Sequence, residues 1–276
     1  MESSKDCAEF RNPLLRLVAR LGAGVWSHWD DLRYAAAVIG TVLGVAVRPW
    51  AWASPVRKAL SRQVVAIGVG PIWFVAALAL FVGISVVVQL IFWVGEFGQS
   101  QLLGPLLMTV IARELAPVLI NLVVLIRSGS AMATELGTMT LNGEVRGLQA
   151  LGSDPFMQLV LPRVLGMAIS TFCLTIVFIP VALASGYLFT ALLGQGSHDL
   201  FLFADTLSRA VQPRDLLNLL AKCLIPALYS GAVCCIGGLG VDTLQSGIPQ
   251  AAQRALTRSV IGLFVISAAV SLLTYL

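Results

Sequence analysis

This chain has little charge. Only 12% of its 276 residues are Asp, Glu, Lys or Arg, about half the roughly 25% of an ordinary soluble protein. That shortage excludes a soluble enzyme, a nucleic-acid reader and a disordered tail. A phosphate loop of the form G-x-x-x-x-G-K-[ST] is also missing, because Lys5, Lys58 and Lys222 follow Ser4, Arg57 and Ala221 rather than glycine. The chain therefore does not bind ATP in that way. Two histidines, His28 and His198, lie far apart without an H-E-x-x-H or cysteine neighbour, so neither a metal site nor a nucleophile has support, and no cofactor is expected. The five cysteines (Cys7, Cys173, Cys223, Cys234, Cys235) contain no C-x-x-C pair, and four lie in apolar stretches, which suits small core residues. The first thirty residues have no small-residue cleavage site after an apolar run, so the N-terminus is expected to stay attached.

What the chain has instead is apolar sequence, 58% of it. From Gln63 to Gly95 there is no charged residue, about 50 Å of helix against a hydrocarbon core of roughly 30 Å. Leu102–Ile126, broken only by Arg113 and Glu114, is a second stretch long enough to cross, followed by Val164–Gly194, Leu216–Val241 and Ser259–Leu276. Tyr34–Val47 falls short of the roughly 17 residues needed and reads as interfacial or re-entrant. The expected fold class is thus an all-α integral membrane protein, with five transmembrane helices and an N-terminal interfacial amphipathic helix or re-entrant segment. Residues 1–60 form that lead-in and residues 61–276 the transmembrane domain.

The basic residues set an orientation. Nine precede the first span, Arg127, Arg146 and Arg163 separate the second from the third, and Arg254 and Arg258 separate the fourth from the fifth, so fourteen of eighteen share one side. The other side has Arg209 and Arg214. The expectation is a cytoplasmic N-terminus and an outer C-terminus. Near the start, Leu14, Leu15, Leu17, Val18 and Leu21 form an apolar face opposite Arg16 and Arg20, as in a helix lying among anionic headgroups, and Trp26, Trp29, Trp50 and Trp52 suit the same level.

Arg113 and Glu114 stand inside the second span, where a charge costs at least about 2.5–3.5 kcal/mol and normally faces a cavity or a partner. Adjacent helical residues point about 100° apart, so each needs a partner of its own. Lys222 is a candidate: counted from the outer ends of their spans, it and Arg113 lie at similar depth, roughly 10–14 Å. Together the three could line a polar chamber. Val86, Trp93, Val94 and Phe97 recur on one stripe that could continue it as an apolar wall, and Leu115 joins the same set. A charged mouth on an apolar cavity suits an amphiphile with a charged head and acyl tails.

The run from Arg113 to Arg163 carries the ordered motifs Arg113-Glu-Leu-Ala-Pro117, Arg127-Ser-Gly-Ser-Ala131, Glu135-Leu-Gly-Thr-Met139, Leu151-Gly-Ser-Asp-Pro155 and Leu161-Pro-Arg163. In these it resembles the MlaE/YrbE-type permeases of MCE-associated lipid ABC transporters. The resemblance implies an inner-membrane homodimeric permease, without enzymatic activity of its own, that moves phospholipids. It implies two cytoplasmic ATPase subunits, a periplasmic MCE-domain assembly and, in some systems, a small STAS-domain subunit as partners, with a periplasmic C-terminus. It places Arg113 and Glu114 at the family's lipid-site positions and Lys222 where the family can carry a basic residue.

The resemblance further makes residues 128–156 the cytoplasmic segment that seats on the ATPase, with Glu135, Gly137, Glu144, Arg146, Asp154 and Pro155 as coupling residues. Their composition reads as an exposed helical connector, with Asp154 as cap and Pro155 in the first position of the next helix. Two departures stand out: Gly143-Glu144 occurs where a Glu-Gln pair is usual, and Ile126 where a glycine is. Gly143 would shorten or bend the coupling element. A rival reading is close helix packing for the glycine-rich run Arg127–Gly137, and, for the whole chain, a membrane scaffold that anchors partners and transports nothing.

Overall fold

The computed structural model describes residues 36–48, 54–96, 106–192, 213–241 and 247–275. Among these the chain is helical, with no strand, and five helices are long and apolar enough to cross a membrane. In hydrocarbon each backbone N–H and C=O must be satisfied within its own segment, which uncharged runs of this length achieve only as helix. The Leu14–Leu21 face and the four interfacial tryptophans lie outside the described residues.

The first helix, α1 (Ala36–Ala46), is apolar but too short to cross. It packs as a side element: Val42 is fully buried among Val56, Leu136, Leu159 and Val160. The first span runs through α2 (Ser54–Val64), a widened π turn at Val65–Val69, and α3 (Ile72–Glu96). The second opens with π turns at Met108–Leu115, continues as α4 (Ala116–Val124), widens again at Leu125–Gly129 and ends as α5 (Ser130–Leu141). After α6 (Glu144–Ala150) and a π turn at Phe156–Val160 come α7 (Leu161–Leu192), α8 (Pro213–Leu239) and α9 (Gly247–Tyr275).

Close approach of these helices depends on small residues, because lipid supplies no hydrophobic drive between them. A Cβ on Gly83 would overlap the carbonyl of Ala182, and one on Gly186 would overlap Val87, so α3 and α7 meet almost backbone to backbone. On the other side of the bundle a Cβ on Gly238 of α8 would come within 2.6 Å of the Ala133 carbonyl in α5. Phe178, Met167 and Leu174 of α7 fill the middle with Ile111, Ile120 and Leu125 of the second span. Large apolar side chains such as Trp73, 85% exposed, and Phe81 point outward, as a lipid-facing surface requires.

One expectation is corrected. The second span does not end near Ile126 with an exposed connector beyond it. Its helix runs unbroken from Met108 to Leu141, and Met132, Ala133, Leu136 and Gly137 are buried. The reason is steric: Gly129 lies against Cys234, and Gly137 against Ile248 and Val241, so this stretch packs on α8 and α9. The helix ends at Leu141, and beyond it Val145 and Leu148 still pack against the cluster that holds Leu136 and Leu159. Gly143 adopts φ +77°, and there the coupling segment breaks into a separate short helix, as the glycine suggests.

Candidate functional site

Two prolines build the charged site. An α-helical carbonyl accepts from the N–H four residues later, and proline has none. Pro226, inside an α-helix, thereby leaves the carbonyl of Lys222 without its helical donor, and Pro117 removes the N–H that α-helical register would bring to the carbonyl of Arg113. Both carbonyls accept across the helix interface. The Lys222 ammonium donates to the Arg113 carbonyl at 3.0 Å. Asn121, itself 1% exposed, donates one amide hydrogen to the Lys222 carbonyl at 3.1 Å and the other to Pro117's carbonyl at 2.8 Å. The π turns at Met108–Leu115 belong to the same opening, since the N–H of Ala116 reaches back five residues to Ile111.

Into this frame comes the ion pair. Lys222 Nζ lies 2.7 Å from Glu114 Oε1, with the lysine side chain fully buried and the glutamate 40% exposed. Depth counting from the sequence puts Lys222 level with Arg113, and the structure pairs the lysine with Arg113's neighbour Glu114. Lys222 itself lines no open space, contrary to the chamber expectation: it sits behind Glu114, held by two acceptors, and is a positioning residue for the carboxylate. Ser271 Oγ of α9 stands 3.3 Å from both Glu114 oxygens and 3.0 Å from the Ser267 carbonyl, so its single proton is shared among them. One turn further out Thr274 donates to Asn218 Oδ1 at 3.2 Å. The site can thus present a fixed, half-exposed carboxylate, beside Arg113, within a membrane-spanning bundle.

The apolar stripe is less unified than its spacing suggests. Val86 is part-buried against the core between α3 and α7, Leu115 is part-buried, and Trp93 is 53% exposed. Val94 lies within α3, and Phe97 is outside the described residues. Asn121, Asn218, Ser267, Ser271 and Thr274 were missed by a search confined to charge. The last three recur at i, i+4 and i+7, a polar row along one face of an apolar span that a helical wheel exposes.

At the other end of the bundle, Glu135 is exposed and pairs with the buried Arg163 at 3.0 Å. Arg163 also donates to the Leu159 carbonyl at 3.0 Å, so it fastens α5 to the start of α7. The sequence offers Arg163 as a topological charge and as the end of the Leu161-Pro-Arg163 motif, without its partner. Glu144 and Arg146 are exposed on α6, with Asn142 donating to Glu144 at 3.3 Å. Asp154 accepts from the N–H of Phe156 at 3.0 Å, and Pro155 precedes the helix, the cap and first-position pattern read from the sequence. Gly137 contributes packing rather than surface.

Five apolar helices long enough to cross, around a proline-framed charge cluster, define a multi-pass membrane protein. The chain matches the family described as Permease MlaE over residues 60–273 and belongs to it. Among its relatives, the "Probable ABC transporter permease protein" of Synechocystis sp. is 30% identical over 199 residues, 71% of this chain and 75% of that one. "Protein TRIGALACTOSYLDIACYLGLYCEROL 1, chloroplastic" of Arabidopsis thaliana is 29% identical over 67% of this chain. The "Intermembrane phospholipid transport system permease protein MlaE" of Haemophilus influenzae is 30% identical over 47% of it. The matches span about half the length of the Arabidopsis and Haemophilus proteins, 52% and 49%.

Proposed function

We propose that this chain is the membrane subunit of an ABC transporter that moves phospholipids or related lipids across the cell envelope. The observation that carries this reading is Glu114, a carboxylate held half-exposed inside a spanning helix by a buried lysine. A headgroup would meet Glu114 and Arg113, while acyl tails follow the apolar surface near Leu115, Val86, Trp93, Val94 and Phe97. Family membership and the printed names of the relatives support lipid as cargo. The chain would work in the inner membrane as a homodimer, N-terminus cytoplasmic and C-terminus periplasmic. It would pair with ATPase subunits on the cytoplasmic side, an MCE-domain protein on the outer side and, in some assemblies, a STAS-domain subunit.

ATP hydrolysis would take place on the partner and reach the spans through Glu135, Glu144, Arg146, Asp154 and Pro155. Arg163 would carry a push from Glu135 directly into α7, because the two side chains touch. The test is lipid transfer by the purified, reconstituted complex. Glu114→Gln and Arg113→Glu should each lower lipid transfer and lipid-stimulated ATP hydrolysis while assembly is unchanged. Full transfer by an assembled Glu114→Gln complex would remove the site, and an assembly that moves no lipid in wild-type form would favour the scaffold.

A further inference from the structure

A second feature of the bundle lies away from Glu114, near the opposite ends of α8 and α9. A cleft of about 250 Å³ opens between these helices. Small residues create it. A Cβ on Gly237 would come within 2.7 Å of the Ala255 Cβ, so the helices touch there, while a Cβ on Gly240 would meet nothing but its own helix. Val233 and Ile236 supply an apolar floor, and Tyr229, whose ring is seated on Gly262, closes the deep end.

The rim is basic. Arg254 and Arg258, both exposed and one turn apart on α9, line the cleft, and no lining residue is acidic. Gln250 accepts from Arg254 at 3.4 Å. From Ser259 to Tyr275 the helix carries no charge, about 25 Å that accounts for most of the hydrocarbon thickness. Arg258 therefore stands at the hydrocarbon boundary and Arg254 one turn outside it, among headgroups, on the side that the charge count makes cytoplasmic. Ser271, which touches Glu114, is roughly 20 Å further along α9.

Two guanidiniums at i and i+4 match the oxygens of one phosphate, since each is a planar donor fork that keeps its charge at any physiological pH. Arginines flanking a spanning helix commonly serve only as topological charge. Here they border a concave, apolar-floored opening at headgroup depth, which a bare flanking charge does not require. Inorganic phosphate or a nucleotide would satisfy the arginines and leave the floor unused. We infer that this cleft holds an anionic phospholipid of the adjacent leaflet, with its phosphate on Arg254 and Arg258 and the first carbons of an acyl chain along Val233 and Ile236. The site is separate from the one at Glu114 and stands whether or not that one binds cargo.

The experiment is native mass spectrometry of the full-length chain titrated with phosphatidylglycerol, phosphatidylcholine or inorganic phosphate. Wild-type protein should retain one phosphatidylglycerol per chain that phosphatidylcholine does not replace and millimolar phosphate does not displace. The Arg254→Gln/Arg258→Gln variant should bind that lipid roughly thirtyfold more weakly. Ala251→Leu, which fills the cleft and leaves both arginines, should weaken it by about tenfold, the scale of one misfitted hydrophobic contact. Retention within twofold of wild type in either variant would overturn the inference, as would displacement by phosphate. Circular dichroism of both variants checks that a loss of lipid is not a loss of fold.

Discussion

Asn121 donates to the carbonyl of Lys222 at 3.1 Å, a carbonyl that Pro226 has stripped of its helical partner. Lys222 in turn donates to the Arg113 carbonyl, whose α-register donor is removed by Pro117. Two helices that each contain a proline are thus completed by each other's side chains, and the charged pair is fixed as a by-product. A buried carbonyl without a donor costs about 1–3 kcal/mol, which makes the arrangement testable by stability alone.

Asn121→Leu keeps the branched shape and heavy-atom count of the side chain and removes both amide hydrogen bonds. It should lower unfolding free energy in detergent by about 1–3 kcal/mol. Pro226→Ala restores an N–H for the Lys222 carbonyl, so Asn121→Leu should cost less in that background. A double-mutant cycle that comes out additive would break the reciprocal account.

Burial is unequal across the ion pair, 0% for the Lys222 side chain and 40% for Glu114. Glu114→Ala strands a buried ammonium and should cost more than Lys222→Met, which leaves a carboxylate that water can still reach. About 3–5 kcal/mol is the scale for losing one partner of a fully buried pair, and the lysine variant should fall below it. The double variant should recover part of the loss. Denaturation midpoints of the three proteins, measured in one detergent, decide the order.

Gly143 sits at φ +77° with nothing within 4 Å of its missing side chain, whereas Gly147 is helical and equally unobstructed. Alanine at 143 should destabilise by about 1–2 kcal/mol through backbone strain alone. At 147 it should stabilise by about 1 kcal/mol. Limited proteolysis between α5 and α7 is expected to speed up in the first variant and slow down in the second.

Gly83→Ala would drive a Cβ into the Ala182 carbonyl, and a backbone has nowhere to retreat between α3 and α7. A loss of about 1–3 kcal/mol follows, the range for overpacking. Gly44→Ala, where nothing lies within 4 Å, should show none of this loss. Equal melting temperatures for the two variants would contradict the packing described here.

The crossings are legible because uncharged runs of this length have one outcome in lipid, and the approach of Lys222 to the Arg113-Glu114 pair because depth counting puts Lys222 level with Arg113. Asn121 and Ser271 are not, since an uncharged polar residue hardly alters the composition of an apolar run. For Asn121 the signal is positional, a proline four residues after Lys222 in the facing helix, and for Ser271 it is the row Ser267, Ser271 and Thr274 on one face of α9. Burial along α5 is hidden from the sequence for a related reason. Glu135, Glu144, Arg146 and Asp154 are all exposed, so a reading by charge sees only the wet face. The buried stripe Met132, Ala133, Leu136 and Gly137 lies on the face that carries none.

Glu114 and Glu135 belong to one continuous helix, with about 30 Å between them. No hinge or loop intervenes to absorb motion. Displacement imposed at Glu135 must reappear at Glu114 as tilt or rotation of the same rod, and the widened turns at Leu125–Gly129 lie midway as the natural fulcrum.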